Sequence, residues 1–125
     1  MNAASKIDLM IRTFTKRERL KRGDFRGTVW TKCSETAHFV LLATDNRCSV
    51  RRFAVTIRKK TGDAAVRNRV RRIVKEFFRL HKNLFRDDSD NLIRVKGLPQ
   101  NLTMAEIGPE LQTLLSSGKM RTSIR

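Results

Sequence analysis

Residues 62–76 read GDAAVRNRVRRIVKE, and two patterns are superimposed in them. Val66, Val70, Ile73 and Val74, continued by Phe77 and Leu80, recur at three- and four-residue steps. That is the stripe of an amphipathic helix with one face in a core. The opposite face carries Asn68, Arg71, Arg72, Lys75 and Arg79, with Arg67 on its flank. Five cations (Arg67, Arg69, Arg71, Arg72, Lys75) fall within nine positions. An ordinary charged helix relieves such repulsion with acids at four-residue spacing, yet Glu76 is the only acid between Ala64 and Arg86. A solvated face is one reading and a polyanion lying against it the other; the missing acids favour the second. A membrane surface fits less well, because the apolar face is needed for the core.

Upstream, RRFAVTIRKK (51–60) places Phe53, Val55 and Ile57 at period two, a strand with one apolar face. TGD (61–63) turns the chain, and Asp63 suits the helix N-cap. HFVLLAT (38–44) is a short apolar run, read as a strand buried on both faces, and TDNRCS (44–49) has loop chemistry. Thr15 and Glu18 suggest a capped helix start, which Gly23 and Gly27 keep short or broken. Downstream of the basic helix, an acidic loop (Asp87 to Asp90) leads into a strand, DNLIRV (90–95). Thr103 and Glu106 then suggest a second capping box, and Gly108–Pro109 predicts a kink or a fresh start at Pro109. Residues 1–12 are expected to be a flexible terminus, 13–116 one RNA-binding domain, and 117–125 a loose tail. The order helix, strands, basic helix, strand, helix gives an α+β domain or a small α/β sandwich.

The chain's 125 residues suit a single domain, and 28 Lys+Arg against 12 Asp+Glu give a formal net charge of +16. The excess is local: residues 51–86 hold thirteen basic and two acidic residues, whereas 87–125 hold five of each. A located positive field points to a nucleic-acid partner. Cys33 and Cys48 make no framework, no apolar run approaches membrane-spanning length, and no signal peptide is evident. A cytoplasmic protein with reduced thiols is expected.

Catalytic signals are weak. Asp87, Asp88 and Asp90 read as a polar loop, His38 and His81 lie in different elements, and Cys33, His38, Cys48 and His81 lack zinc-ligand spacing. No phosphate-binding loop or nucleophile-elbow motif occurs. The residues describe a binder: no catalytic residue and no metal site of its own is expected.

KKTGDAAVRNRVRRIVKEFFR (59–79) resembles the RNR motif of the bacterial ribonuclease P protein family. RLKRGDF, HFVLLAT and FAVTIRKK resemble that family's flanking stretches, so the resemblance spans about residues 15–115. It implies a compact αβββαβα sandwich of α+β class with a left-handed βαβ crossover, against the usual hand. It also implies an accessory role: a catalytic RNA subunit, using Mg²⁺, removes the 5′ leader of precursor tRNA while the protein binds that RNA and the leader. The implied RNA-binding residues are Lys59, Lys60, Arg67, Asn68, Arg69, Arg71, Arg72, Lys75 and Arg79, with Gly62 supporting the turn before the helix. Arg69 lies nearer the flank of the basic face, where it could instead hold structure. Phe25, Trp30 and Phe39 are the implied leader-cleft candidates.

Three features depart from the family pattern: Phe25 and Trp30 are five apart rather than four, Leu42 stands where many relatives have tyrosine, and Arg58 replaces a small polar residue. No membrane association and no protein oligomer is expected. The rival readings are a structural rRNA-binding protein and a metal-dependent nuclease working without RNA.

Overall fold

Four strands form one sheet in the computed structural model, which describes residues 16–20, 29–46, 50–86 and 88–124. They are β1 (Thr31–Glu35), β2 (Phe39–Asp45), β3 (Arg52–Ile57) and β4 (Ser89–Val95), in spatial order β1-β2-β4-β3. β1 and β2 form an antiparallel hairpin, with a register shift between Lys32 and Ser34, and β2 pairs antiparallel with β4. β3 and β4 are parallel neighbours. Parallel neighbours need a long crossover, and the basic helix α1 (Ala64–Leu80) supplies it. A second helix, α2 (Met104–Ile124), follows β4.

Strand alternation divides the core. Phe39, Leu41 and Ala43 of β2, Phe53 of β3, and Ile93 and Val95 of β4 share one cluster with Val70, Val74, Phe77 and Phe78 of α1 and Ile107, Leu111, Leu114 and Leu115 of α2. Phe53 stacks on Phe78 with centroids 4.6 Å apart, and Phe85 meets both rings edge-on. The other face of the sheet carries a smaller cluster, Val40, Leu42 and Leu92, against which Trp30 and Ala54 pack. β2 is therefore buried on both faces, as its unbroken apolar run implied.

The local signals around α1 hold. Asp63 Oδ1 accepts the Val66 N–H at 2.9 Å, and the His81 N–H closes the far end on the Phe77 and Phe78 carbonyls. The apolar face differs at its end: Phe78 is fully buried, sandwiched by Phe53 and Phe85, whereas Leu80 is 44% exposed as the last helical residue. At the other end of the chain, Thr103 Oγ1 accepts the Glu106 N–H at 3.3 Å, but Glu106 reaches back to the Asn101 N–H, at 2.7 Å. Of the kink or fresh start expected at Pro109, the fresh start does not occur: α2 runs through it to Ile124. Ile107, Leu111, Leu114 and Leu115 are all fully buried, and burial of about 1.5–3 kcal/mol per side chain offsets one lost backbone hydrogen bond. That bond would have ended on Ala105, an exposed residue whose carbonyl can turn to water. The helical backbone also includes residues 117–124 of the segment expected as a tail.

Lys16–Glu18 form a single 3₁₀ turn, and the Leu20 N–H bonds the Phe53 carbonyl at 3.1 Å, so this segment covers the edge of β3. Residues 21–28, which include Phe25, lie outside the described residues.

The hairpin is clamped to α2 by one carboxylate. Glu110 accepts the Thr36 hydroxyl at 2.7 Å and the His38 N–H at 2.8 Å through Oε2, and sits 2.8 Å from His38 Nδ1 through Oε1. Burial works to raise its pKa, but the hydrogen bonds from Thr36 and His38 outweigh it, and the net shift is downward from 4.5. A carboxyl with a lowered folded pKa stabilises above its unfolded value and loses that contribution as pH falls through the folded one. Glu110→Gln is therefore expected to cost about 1–2 kcal/mol near neutral pH. The gap from the parent should close as urea melts are repeated from about pH 5 down to about pH 3. A gap independent of pH would assign the loss to packing alone.

Candidate nucleic-acid interface

The basic face begins in the turn before α1. The strand ends at Ile57, and after Arg58 the residues Lys59–Thr61 make one 3₁₀ turn, leaving both lysines exposed. Gly62 is extended and tightly placed: a Cβ there would lie 3.1 Å from Val66 Cγ1 and 3.4 Å from Leu98 Cδ1. Its carbonyl accepts Arg67 Nε at 3.1 Å. The turn and the first helical cation are thus tied together, and Lys59 and Lys60 lie exposed immediately before them.

Along α1 the cations differ in how they are held. Arg71 donates to Asn68 Oδ1 at 2.9 Å, which leaves the Asn68 amide N–H groups for an outside acceptor. Arg69 Nε donates to the Leu102 carbonyl at 3.1 Å, so this residue also joins α1 to the start of α2. Arg79 is neutralised locally by Glu76, to which it donates through both Nε and an Nη. Arg72 and Lys75 are exposed and have no partner among the described residues. The assembled face therefore runs from Lys59 and Lys60 through Arg67, Arg71 and Arg72 to Lys75. Asn68 lies within it, Arg69 at its border, and Arg79 is its least available charge. Held guanidinium groups lose less freedom on meeting phosphate than loose ones do, and their planar forks match phosphate oxygens two at a time.

A second basic groove, about 410 Å³, lies at the end of the sheet between Glu35, Val40, Arg58, Lys60, Arg94 and Lys96. Arg94 pairs in register with Val40 and Thr56, which puts it on the Val40–Leu42–Leu92 face. Hydrogen bonds and charge from Lys96 and Lys32 hold the Glu35 carboxyl down at about 2, so it stays ionised and offsets part of this positive charge. Arg94 is absent from the sequence-derived RNA-binding set; its alternation with Ile93 and Val95 in the strand was the available signal.

Of the leader-cleft candidates, Trp30 is half-buried against Val40, Leu42 and Leu92. Phe39 needs correction: it is fully buried and points toward the helices, because it shares the parity of Leu41 and Ala43. It offers no ring face to a nucleotide. Phe25 lies outside the described residues.

The groups that could have formed a catalytic cluster have structural uses. Asp90 is buried, bound bidentately by Arg52 at 2.7 and 2.9 Å and by Asn46 at 2.8 Å. His38 is held by Glu110, His81 packs on Phe77 with centroids 4.5 Å apart, and Cys33 is buried. Asp87 and Cys48 lie outside the described residues. Among the described residues no group of three His, Cys, Asp or Glu could hold a metal ion, and no helix is long and apolar enough to cross a membrane.

The family model named Ribonuclease P matches residues 14–118. The chain belongs to that family. Two curated relatives, both named ribonuclease P protein component, are similar over most of their length. The one from Geotalea uraniireducens is 39% identical over 104 residues, covering 82% of this chain and 91% of the relative. The one from Syntrophus aciditrophicus is 38% identical over 85 residues, covering 68% and 71%. Among solved structures, the ribonuclease P protein of Staphylococcus aureus superposes with a TM-score of 0.67 over 81% of this chain and 94% of that one, at 23% identity. A mutant of the same protein gives 0.70 over 95% and 98%, at 22% identity. The α+β fold is the family's fold. The chain is accordingly the protein subunit of ribonuclease P, a ribonucleoprotein endoribonuclease of tRNA processing, and the ribonuclease P RNA is its partner.

Proposed function

We propose that the α1 face seats this subunit on the ribonuclease P RNA, while the Trp30–Arg94 side of the sheet receives the 5′ leader of precursor tRNA. The observation that carries this reading is the row from Lys59 to Lys75, in which Arg72 and Lys75 have no protein partner among the described residues and the one acid, Asp63, is spent on capping the helix. Single-stranded RNA is bound by combining cations for phosphate with flat side chains for bases. The sheet side offers both, with Trp30 on the Val40–Leu42 cluster and Arg58, Lys60 and Arg94 around the adjoining groove. Of the described carboxylates in the acidic loop region, Asp90 is committed to Arg52 and Asn46. The Mg²⁺ used in cleavage is on this reading held by the RNA, and the protein acts by binding and orienting. The cytoplasm is its place of work.

The test is cleavage of precursor tRNA at low Mg²⁺ with bacterial ribonuclease P RNA alone, this protein alone, and both. Cleavage at the mature 5′ end only with both is expected. A protein that binds the RNA tightly but adds nothing to cleavage would be a general RNA-binding domain, as an rRNA-binding protein would be. Trp30→Ala is expected to weaken binding of leader-bearing precursor by about ten-fold, from a stack worth roughly 1–3 kcal/mol, with mature tRNA little affected. Equal losses on both substrates would assign Trp30 to the core.

A further inference from the structure

Between the first turns of α1 and the start of α2 lies an open groove of about 650 Å³, lined by Ala65, Arg69, Arg72, Ile73, Leu102 and Met104, with Thr103 at its end. The α1 wall is a single stripe, because positions 65, 69, 72 and 73 fall on one side of a helix. The floor is apolar: Ile73, Leu102 and Met104 are half-buried and pack against the main core. The rim is cationic. Arg69 bridges the two walls through Nε and the Leu102 carbonyl, which fixes its guanidinium and leaves both Nη groups without a protein acceptor among the described residues. Arg72 is exposed and likewise unpartnered, and no carboxylate lines the groove.

We propose that this groove is the seat of one unpaired nucleotide of the RNA subunit, its base on Ile73, Leu102 and Met104 and its phosphate on Arg69 and Arg72. The inference rests on the reading of α1 as the RNA-binding face. Folded RNA is recognised through splayed-out bases that stack on flat or polarisable side chains, guanidinium planes included, while cations take the adjoining phosphate. Thioether sulfur makes favourable contacts with aromatic rings, so Met104 suits a base edge. An apolar groove alone would equally fit a protein side chain. Charge complementarity selects RNA, since both cations at the rim continue directly into the row that includes Arg71 and Lys75. The seat would convert a sequence-blind phosphate contact into a positional one, placing the subunit in a single register on its RNA.

Ala65 is exposed on the helix, so Ala65→Trp fills the groove without removing a cation or a core contact. Binding to an in vitro transcript of a bacterial ribonuclease P RNA is expected to weaken about ten-fold. In chemical probing, one unpaired nucleotide protected by the parent protein should become reactive again. Parent-like affinity and protection would overturn the seat while leaving the cationic face intact. Parent-like affinity in an Arg72→Ala/Lys75→Ala variant as well would overturn the RNA-binding reading of α1 itself. A measurement on the unaltered chain guards against misfolding of the tryptophan variant: the ¹³C-methyl resonance of Met104, assigned with Met104→Leu, should move upfield on adding the RNA as a base ring closes over it. An unmoved resonance overturns the proposal.

Discussion

Replacing Arg72 and Lys75 together with Ala is expected to lower affinity for the ribonuclease P RNA by roughly ten- to a hundred-fold at low salt, and to flatten the slope of log affinity against log salt by about two. Both side chains are exposed and unpartnered among the described residues, so removing them should leave the fold untouched. The slope is the more telling readout, because each phosphate contact releases condensed counterions whatever the base beside it. Arg79→Ala is the internal comparison: that guanidinium already pairs with Glu76, and its loss should alter the slope far less. Filter binding from about 50 to about 400 mM salt, close to one decade, measures both. An unchanged slope in the double variant would mean that the RNA lies elsewhere.

The largest expected loss of stability follows from Asp90→Ala. This carboxylate is 4% exposed, and its removal leaves the Arg52 guanidinium and the Asn46 amide without their shared acceptor. Breaking such a pair from one side costs about 3–5 kcal/mol, well above the net value of the pair itself, because the remaining charge stays desolvated. Urea unfolding should show the shift in midpoint at constant m-value. A loss below about 1 kcal/mol would mean that water reaches Arg52 as soon as Asp90 is gone.

What the sequence revealed of this protein was what repeats over a few residues. The stripe of α1, its Asp63 cap and the doubly buried β2 all follow from neighbours three, four or two positions away, and each stands where expected. Pro109 does not start a fresh helix, because its local cost is set against Ile107 and Leu111, whose burial depends on strands far away in the chain. Phe39 misled for a different reason: which parity of β2 faces the helices is decided by the pairing with β4, about fifty residues downstream. At the interface, the identity of the cations was legible, but their division into free, tethered and neutralised groups was not. Arg69 finds the Leu102 carbonyl only after the two helices have met, and Arg94 joins the Val40 face only through strand register.

The strand order has a kinetic consequence. β4 lies between β2 and β3, so it is the piece that joins the hairpin to the edge strand, yet it is the last strand to be made. When β2 is complete on a translating ribosome, about fifty further residues must emerge before the sheet can close, a delay on the order of several seconds at about 5–20 residues per second. During that interval Phe53 and the apolar side of α1 are made but still lack Ile93 and Val95 of β4 and the apolar side of α2, and a cationic helix is exposed beside ribosomal RNA. Retarding or accelerating elongation across residues 46–95 should therefore change the soluble yield of this subunit more than its final stability.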